Sequence, residues 1–511
     1  MHTFIPAIVI LMSTLSLTQT LPAPQAITDP KQIASKSNAA VEKNLSIEKL
    51  YMTRIVGGTA WSPDGKQIAF ITNITGRNNV WIVPADGGWP VQLTISDQRQ
   101  AAPAWSPDGK WIAYMSDFDG DEQWDIFLVS PKTGQVVNLT NTREIAEESP
   151  EWSPDGRYLA YMVKPRTSSV FEIDVYDTLM RETKHITTGT PKDKMNVDPI
   201  WSADGKFIVY TQVQAKGTDS NVFIADVATS KSTLLTPHEG EQLYSANDIS
   251  PDGKSVLITS NASNGYDNVG VIDVATKKIN WLTRDKWEIS GGCYSPDGKS
   301  ITWTANVDGN TEIYLHELGT GKTTTLHLPK GVNGLGGDRT SFTKDGSKLL
   351  YYHNGPTAPN DAWVYSLADG KSHQVTHSAV GGIRAADMVE PSLVHYPSKD
   401  GKWTISAFVY MPYNLPRNAQ HPAIVYIHGG PTSQTVNSFN RFVQFAVNQG
   451  YIVIAPNYRG STGYGKEFQQ ANLFDMGGGD LQDVLSAAEW IKQSGYVDPK
   501  KLIVMGGSYG G

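Results

Sequence analysis

A single cysteine, Cys293, in 511 residues excludes an intrachain disulfide and leaves stability to packing alone. Positive charge is in deficit: 43 Lys and Arg stand against 51 Asp and Glu, giving a formal charge of −8 and a pI near 5.8. That balance offers no basic footprint for nucleic acid or an anionic membrane, and neither is expected as a partner. The apolar run over residues 5–17 is too short to span a bilayer comfortably. With Pro22, Ala23 and Ala26 behind it, it reads as a secretory signal over residues 1–26. An uncleaved anchor or a buried N-terminal helix would share this composition. Export predicts a periplasmic or secreted protein with no stable membrane association after signal cleavage.

Cofactor signatures are absent too. The acidic stretch Asp117, Asp119, Asp121 has its glycine misplaced for an EF-hand and Leu128 where the bidentate glutamate belongs, so it reads as a hairpin turn. Asp308-Gly309 in a later repeat reads the same way. The glycine-rich residues 457–465 carry neither the lysine nor the spacing of a phosphate-binding loop. No metal or organic cofactor is expected.

What is present is a repeat. Trp61-Ser-Pro-Asp-Gly65 recurs, with variation, so that its aspartates fall at 64, 108, 155, 204, 252, 297 and 345, in steps of 44, 47, 49, 48, 45 and 48 residues. In five of the seven units proline presets a turn, and in all of them aspartate bonds its own backbone and glycine supplies a positive φ. Strands with alternating large apolar residues follow, and the unit closes on a Leu-Thr pair such as Leu93-Thr94 or Leu282-Thr283. Four strands in about 47 residues describe a propeller blade, and seven such units predict an all-β seven-bladed propeller over residues 55–387. Ahead of it, residues 27–54 read as a polar tether and a short helix over 46–54 capped by Ser46. Glu147-Glu148 reads as a solvated loop entering blade three, with an acidic grip on a substrate amino terminus as the sharper alternative.

From residue 388 the period changes. Strands at 392–396, 404–411, 423–427 and 451–455 alternate with helices at 439–448 and 480–492, the second with Leu481, Val484, Leu485, Ala488 and Ile491 on one face. This alternation predicts a parallel sheet with helices on both faces over residues 388–511. The final apolar strand runs into Gly506-Gly507-Ser508-Tyr509-Gly510, a Gly-x-Ser-x-Gly nucleophile elbow that holds a serine in a strained turn between strand and helix. His428-Gly429-Gly430-Pro431 follows a strand where hydrolases with this elbow place an oxyanion loop. His428 precedes that loop without a visible partner and is read as structural.

A seven-bladed propeller followed by these two motifs, by Asn457-Tyr-Arg-Gly-Ser-Thr-Gly-Tyr-Gly465 and by Gly-Gly-x-Asp-x-x-Asp at 477–483 resembles the prolyl oligopeptidase family of serine peptidases. Tyrosine after the serine and Gly-Gly before it look most like its acylaminoacyl-peptidase branch. The resemblance implies an α/β-hydrolase domain with Ser508 as the catalytic nucleophile and the backbone N–H groups of Gly430 and Tyr509 as the oxyanion hole. It also implies a propeller that admits short peptides, and a segment before blade one, residues 46–54, packed on the hydrolase domain. In this elbow the chain order is serine, acid, histidine, so the acid and base are expected beyond Gly511, with the α/β-hydrolase domain incomplete and residues 1–511 inactive without them. Two other readings stay open: a non-catalytic propeller binding protein with an inert hydrolase remnant, and an esterase.

Overall fold

The computed structural model describes residues 21–42, 45–337 and 341–511. The apolar run at 5–17 lies outside the described residues.

The repeats fold as seven four-stranded units over residues 56–92, 100–138, 145–185, 194–234, 244–281, 288–325 and 332–374, each an antiparallel meander. Blades six and seven share one sheet through the single parallel pair Thr311 and Val332. Each turn is built as its residue types dictate. Ser62 Oγ donates to Asp64 Oδ1 at 2.7 Å and accepts from Gln67 N at 2.9 Å, Asp64 Oδ1 also accepts from Lys66 N, and Gly65 sits at φ +67°. The same bond pattern recurs through Ser106, Ser153, Ser202, Ser250, Ser295 and Thr343.

Three of the four tryptophans that precede the serine donate to the neighbouring blade. Trp152 Nε1 donates to Ala104 O, Trp201 Nε1 to Glu151 O, and Trp61 Nε1 closes the ring by donating to Ser341 O of blade seven. Asn360 Nδ2 to Val56 O at 2.7 Å adds to that closure. The Leu-Thr pair follows the short fourth strand, Val91–Gln92 in blade one, instead of ending it. There Leu93 N donates to Val80 O and Thr94 Oγ1 accepts from Val80 N, tying the pair to the third strand.

The α/β part is a five-stranded sheet of β1 (Ser392–Pro397), β2 (Thr404–Tyr410), β3 (His421–Ile427), β4 (Ile452–Asn457) and β5 (Val497–Gly506) in the order 1-2-4-3-5. Only β3, β4 and β5 are mutually parallel; β1 and β2 pair antiparallel with each other and β2 antiparallel with β4, so the sheet is mixed rather than parallel. A tight turn over 398–403 joins β1 to β2 without the helical crossover that parallel neighbours need. Helix α2 (Arg441–Asn448), capped by Asn440, packs Val443, Ala446 and Val447 on one face of the sheet with Phe408, Ile424 and Val453. The short helix α3 (Lys466–Gln470) follows the glycine-rich loop and buries Phe468. Helix α4 (Gly479–Lys492) packs Val484, Ala487, Trp490 and Ile491 on the other face with Ala407, Val425 and Ile454.

Two expectations change here. Helix α4 is turned so that Asp480 and Asp483 point inward, while Leu481 and Leu485 are each 46% exposed among the described residues. Two buried carboxylates with partners outweigh the apolar periodicity. The segment read as a tether is docked: Ile27 pairs with β1 through Leu393 and His395, Ile33 is fully buried in the sheet core, and Arg417 donates to Ile33 O and Lys31 O. The short helix α1 (Ile47–Tyr51) forms with Ser46 as its cap and seats Leu50 against Met388.

Candidate active site

Strand β5 runs parallel to β3, with Ile427 opposite Gly506, so the ends of both strands deliver their loops to one place. Ser508 follows at φ +53°, a conformation that costs a side-chain-bearing residue about 1–3 kcal/mol and is held only where its surroundings enforce it. The flanking glycines are that enforcement. A Cβ on Gly510 would lie 2.5 Å from Ile427 O, and one on Gly506 would overlap Gly510 O. A Cβ on Gly507, at φ −134°, would meet nothing within 4 Å, and that position is sterically free.

The second loop lies against the serine. A Cβ on Gly429 would stand 3.2 Å from Ser508 Cβ and 3.0 Å from Gly507 O, which puts the peptide joining Gly429 to Gly430 beside the elbow. Among the described residues, neither the Gly430 nor the Tyr509 N–H donates a hydrogen bond. Ser508 and the two residues named with it from sequence are therefore neighbours, with two backbone donors free.

His428 is not placed as a base. Its Nδ1 lies 2.8 Å from Gly429 O and its Nε2 2.9 Å from Ser461 Oγ, and its ring stacks on Tyr458 with centroids 4.4 Å apart. Burial pushes its pKa down, which favours the neutral ring, and both ring nitrogens are taken up by Gly429 O and Ser461 Oγ, the latter hydroxyl itself donating to Tyr458 O. The stack continues from Tyr458 to Tyr509 at 6.2 Å, and the Tyr509 hydroxyl donates to Asp480 at the start of α4. Burial, then the Asp480 charge, raises the Tyr509 pKa.

Sequence reading missed the roles of Asp480, Tyr458, Arg459 and Asp483. Arg459 is 6% exposed and makes a two-oxygen fork to Asp483 (2.8 and 2.8 Å) and another to Asp400 (2.9 and 3.1 Å). Hydrogen bonds from Arg459, and next from Ser398, hold Asp400 well below the usual carboxylate range. A Cβ on Gly479 would meet Arg459 Nη1 at 2.6 Å, so Gly479 makes room for the guanidinium. The spacing of Asp480 and Asp483, one helical turn apart, was the available signal.

Other sequence candidates resolve into structure. Glu147 lies inside a strand, 3% exposed, accepting from Thr142 Oγ1 at 2.7 Å, and burial lifts its pKa to about 7; the solvated-loop reading of Glu147-Glu148 gives way to a strand in which Glu147 is buried and Glu148 half-buried. Asp117 is taken by Arg99, and Asp121 by Arg166. No group of three His, Cys, Asp or Glu able to hold a metal ion occurs among the described residues. A cavity of about 300 Å³ lies between blades five and six and the glycine-rich loop, lined by Asn261, Asp267, Glu288, Ser290, Thr304 and Lys466 among others.

Comparison with known proteins agrees with this architecture. The TolB β-propeller domain matches residues 48–195 and 190–382, and the prolyl oligopeptidase family matches residues 437–511. Dipeptidyl-peptidase 5 of Porphyromonas gingivalis is 27% identical over 61% of this chain and 46% of its own length. Dipeptidyl aminopeptidase BIII of Pseudoxanthomonas mexicana is 25% identical over 88% of this chain and 66% of its own. Relatives named acylamino-acid-releasing enzyme match as well. The chain thus spans about half to two thirds of the length of those two dipeptidyl peptidases. A Mycobacterium tuberculosis puromycin-hydrolyzing peptidase superposes with a TM-score of 0.78 at 16% identity, covering 94% of this chain and 78% of that one. Propeller, elbow and glycine loop stand in one order in sequence and meet in space as described, and over residues 437–511 this chain matches the prolyl oligopeptidase family.

Proposed function

We propose that the protein is an exported serine peptidase that cleaves short peptides through an acyl-enzyme on Ser508. The observation that carries this reading is the elbow: a serine at φ +53°, enforced by Gly506 and Gly510, beside two undonated backbone N–H groups. Ser508 Oγ attacks the scissile carbonyl while its proton passes to a base. The carbonyl oxygen gains the negative charge, which the N–H groups of Gly430 and Tyr509 take up; the amine leaves with a proton, and water then releases the acyl group.

The reaction needs a histidine and an orienting carboxylate at Ser508, and among the described residues no histidine is hydrogen-bonded to its Oγ. The resemblance implies that such residues follow Ser508 in sequence order. The propeller supports a restriction to short peptides, since the α/β sheet docks on one of its faces. Export rests on the apolar run at 5–17; among the described residues no helix is long and apolar enough to cross a membrane.

One sample of the intact protein from its native source is treated with a fluorophosphonate, and a separate untreated sample is offered acyl-peptides, peptides with a free amino terminus, and simple esters. Labelling of Ser508 with turnover of peptides is expected, and Ser508→Ala loses both, with kcat down by about four to six decades. Ester turnover without peptide turnover favours an esterase. An unlabelled serine favours a binding protein.

A further inference from the structure

Blade six ends its second strand (Ser300–Val307) and begins its third (Asn310–Glu317) across a two-residue turn, Asp308-Gly309, with both residues at positive φ (+52° and +82°). Aspartate and glycine are the residues such a turn prefers, and the turn alone explains them in sequence. The turn does not face water. Asp308 is 1% exposed, and a Cβ on Gly309 would stand 2.8 Å from the Phe408 ring of β2. The Asp308 carboxylate belongs to the propeller, yet all three of its side-chain donors belong to the α/β domain: Ser406 Oγ at 2.6 Å and Tyr464 hydroxyl at 2.8 Å on Oδ1, His395 Nε2 at 2.7 Å on Oδ2.

One of those donors leads to the glycine loop. Tyr464 hydroxyl accepts from Asn457 Nδ2 at 2.9 Å, and the fully buried Asn457 side chain brackets Thr435, accepting from its N–H at 2.7 Å and donating to its carbonyl at 3.0 Å. Blade six reaches the same segment directly at three further points. Asn306 Nδ2 donates to Gln434 Oε1 at 2.6 Å, Asn437 N donates to Gly309 O at 2.8 Å, and Asn437 Nδ2 donates to Asn310 Oδ1 at 2.8 Å. Residues 434–437, which begin four positions after Gly430, are therefore clamped by propeller side chains and propeller backbone.

We infer that the blade-six turn is a positioning device for the oxyanion loop: Asp308, through Tyr464 and Asn457, and Asn306, through Gln434, set where the Gly430 N–H points. This rests on the peptidase reading given above. It makes residues of the propeller contributors to the rate of the chemical step, in addition to any part the propeller plays in access. A backbone donor that must meet a developing oxyanion tolerates little displacement, so slackening the clamp lowers kcat while leaving peptide binding in place.

The test uses Tyr464→Phe, which removes a single hydroxyl, Asp308→Asn, and Asn306→Ala, each in the intact protein and each checked for an unchanged unfolding midpoint. Lys466→Met is the comparator, because it removes another contact between the same two domains, Lys466 Nζ to Glu241 O, without touching residues 430–437. Two readouts are taken: kcat and KM on a short peptide, and amide hydrogen exchange over 430–437. Expected are a drop in kcat of about tenfold or more with KM within about twofold, faster exchange over 430–437 in the three clamp variants, and neither change in Lys466→Met. Unchanged exchange, or faster exchange with unchanged kcat, overturns the inference. If the unmodified protein turns over no peptide while exchange still responds in the clamp variants, the peptidase reading falls and the clamp itself is supported.

Discussion

At the scale of single residues, the elbow separates glycines that are needed from one that is not. Gly506 and Gly510 face each other and the end of β3 so closely that a methyl group on either must push backbone aside, whereas Gly507 opens onto free space. Gly510→Ala is expected to destabilise the protein by about 1–3 kcal/mol, as overpacking against backbone does, and to abolish labelling of Ser508. Gly507→Ala stays within about 0.5 kcal/mol and keeps its labelling. Chemical denaturation and fluorophosphonate labelling of the two variants side by side decide this. The motif Gly-x-Ser-x-Gly is legible in sequence because its glycines answer to contacts within a few residues and with one neighbouring strand. Arg459 is not legible that way. Its partners Asp400 and Asp483 lie 59 and 24 positions away, and only the packing of α4 on the sheet brings them to one guanidinium.

At the scale of elements, the joint between blade six and the glycine-rich loop carries a titratable pair. Glu288 Oε1 accepts from Gly465 N at 2.9 Å and its Oε2 from Asp267 N at 2.7 Å. Burial, reinforced by the neighbouring Asp267 carboxylate, lifts Glu288 to about 7, and burial lifts Asp267 to about 6. A carboxyl whose pKa is higher in the folded than in the unfolded state contributes stability that is complete below the unfolded value and is lost as pH rises through the folded value. Unfolding midpoints are therefore expected to fall between about pH 5 and pH 8, and to fall less in Glu288→Gln, which no longer ionises. An equal fall in both proteins would remove Glu288 as the cause.

The blades show how far an element can be read from its residues. Turn chemistry in Ser-Pro-Asp-Gly is local, so the repeat announced itself. Helix α4 shows the limit: its apolar spacing placed Leu481 and Leu485 inside, and the structure turns them out because Asp480 reaches Tyr509 and Asp483 reaches Arg459. A buried carboxylate with a partner looks in sequence like any surface aspartate.

At the scale of the whole molecule, a ring of seven blades is closed by side-chain bonds between blades one and seven, and a five-stranded sheet is set against it with the N-terminal segment as an added edge. On the peptidase reading proposed above, the propeller limits by size what reaches Ser508. Short unfolded peptides are expected to be cut, while the same sequence held inside a folded protein stays intact; mass spectrometry of both digests checks this, and cleavage of the folded protein would mean that access is not limiting.

The repeat number, the turn at every blade, the elbow serine and the order of the motifs were all written in the chain, because each depends on residues within a few positions of one another or on a fixed period. It took the folded molecule to show that the sheet is mixed, that residues 27–38 are docked, that α4 hides two aspartates and that Asp308 of the propeller grips the α/β domain. Those features depend on which distant groups meet in a water-poor space, where an unpaired charge or donor is costly and a paired one is not.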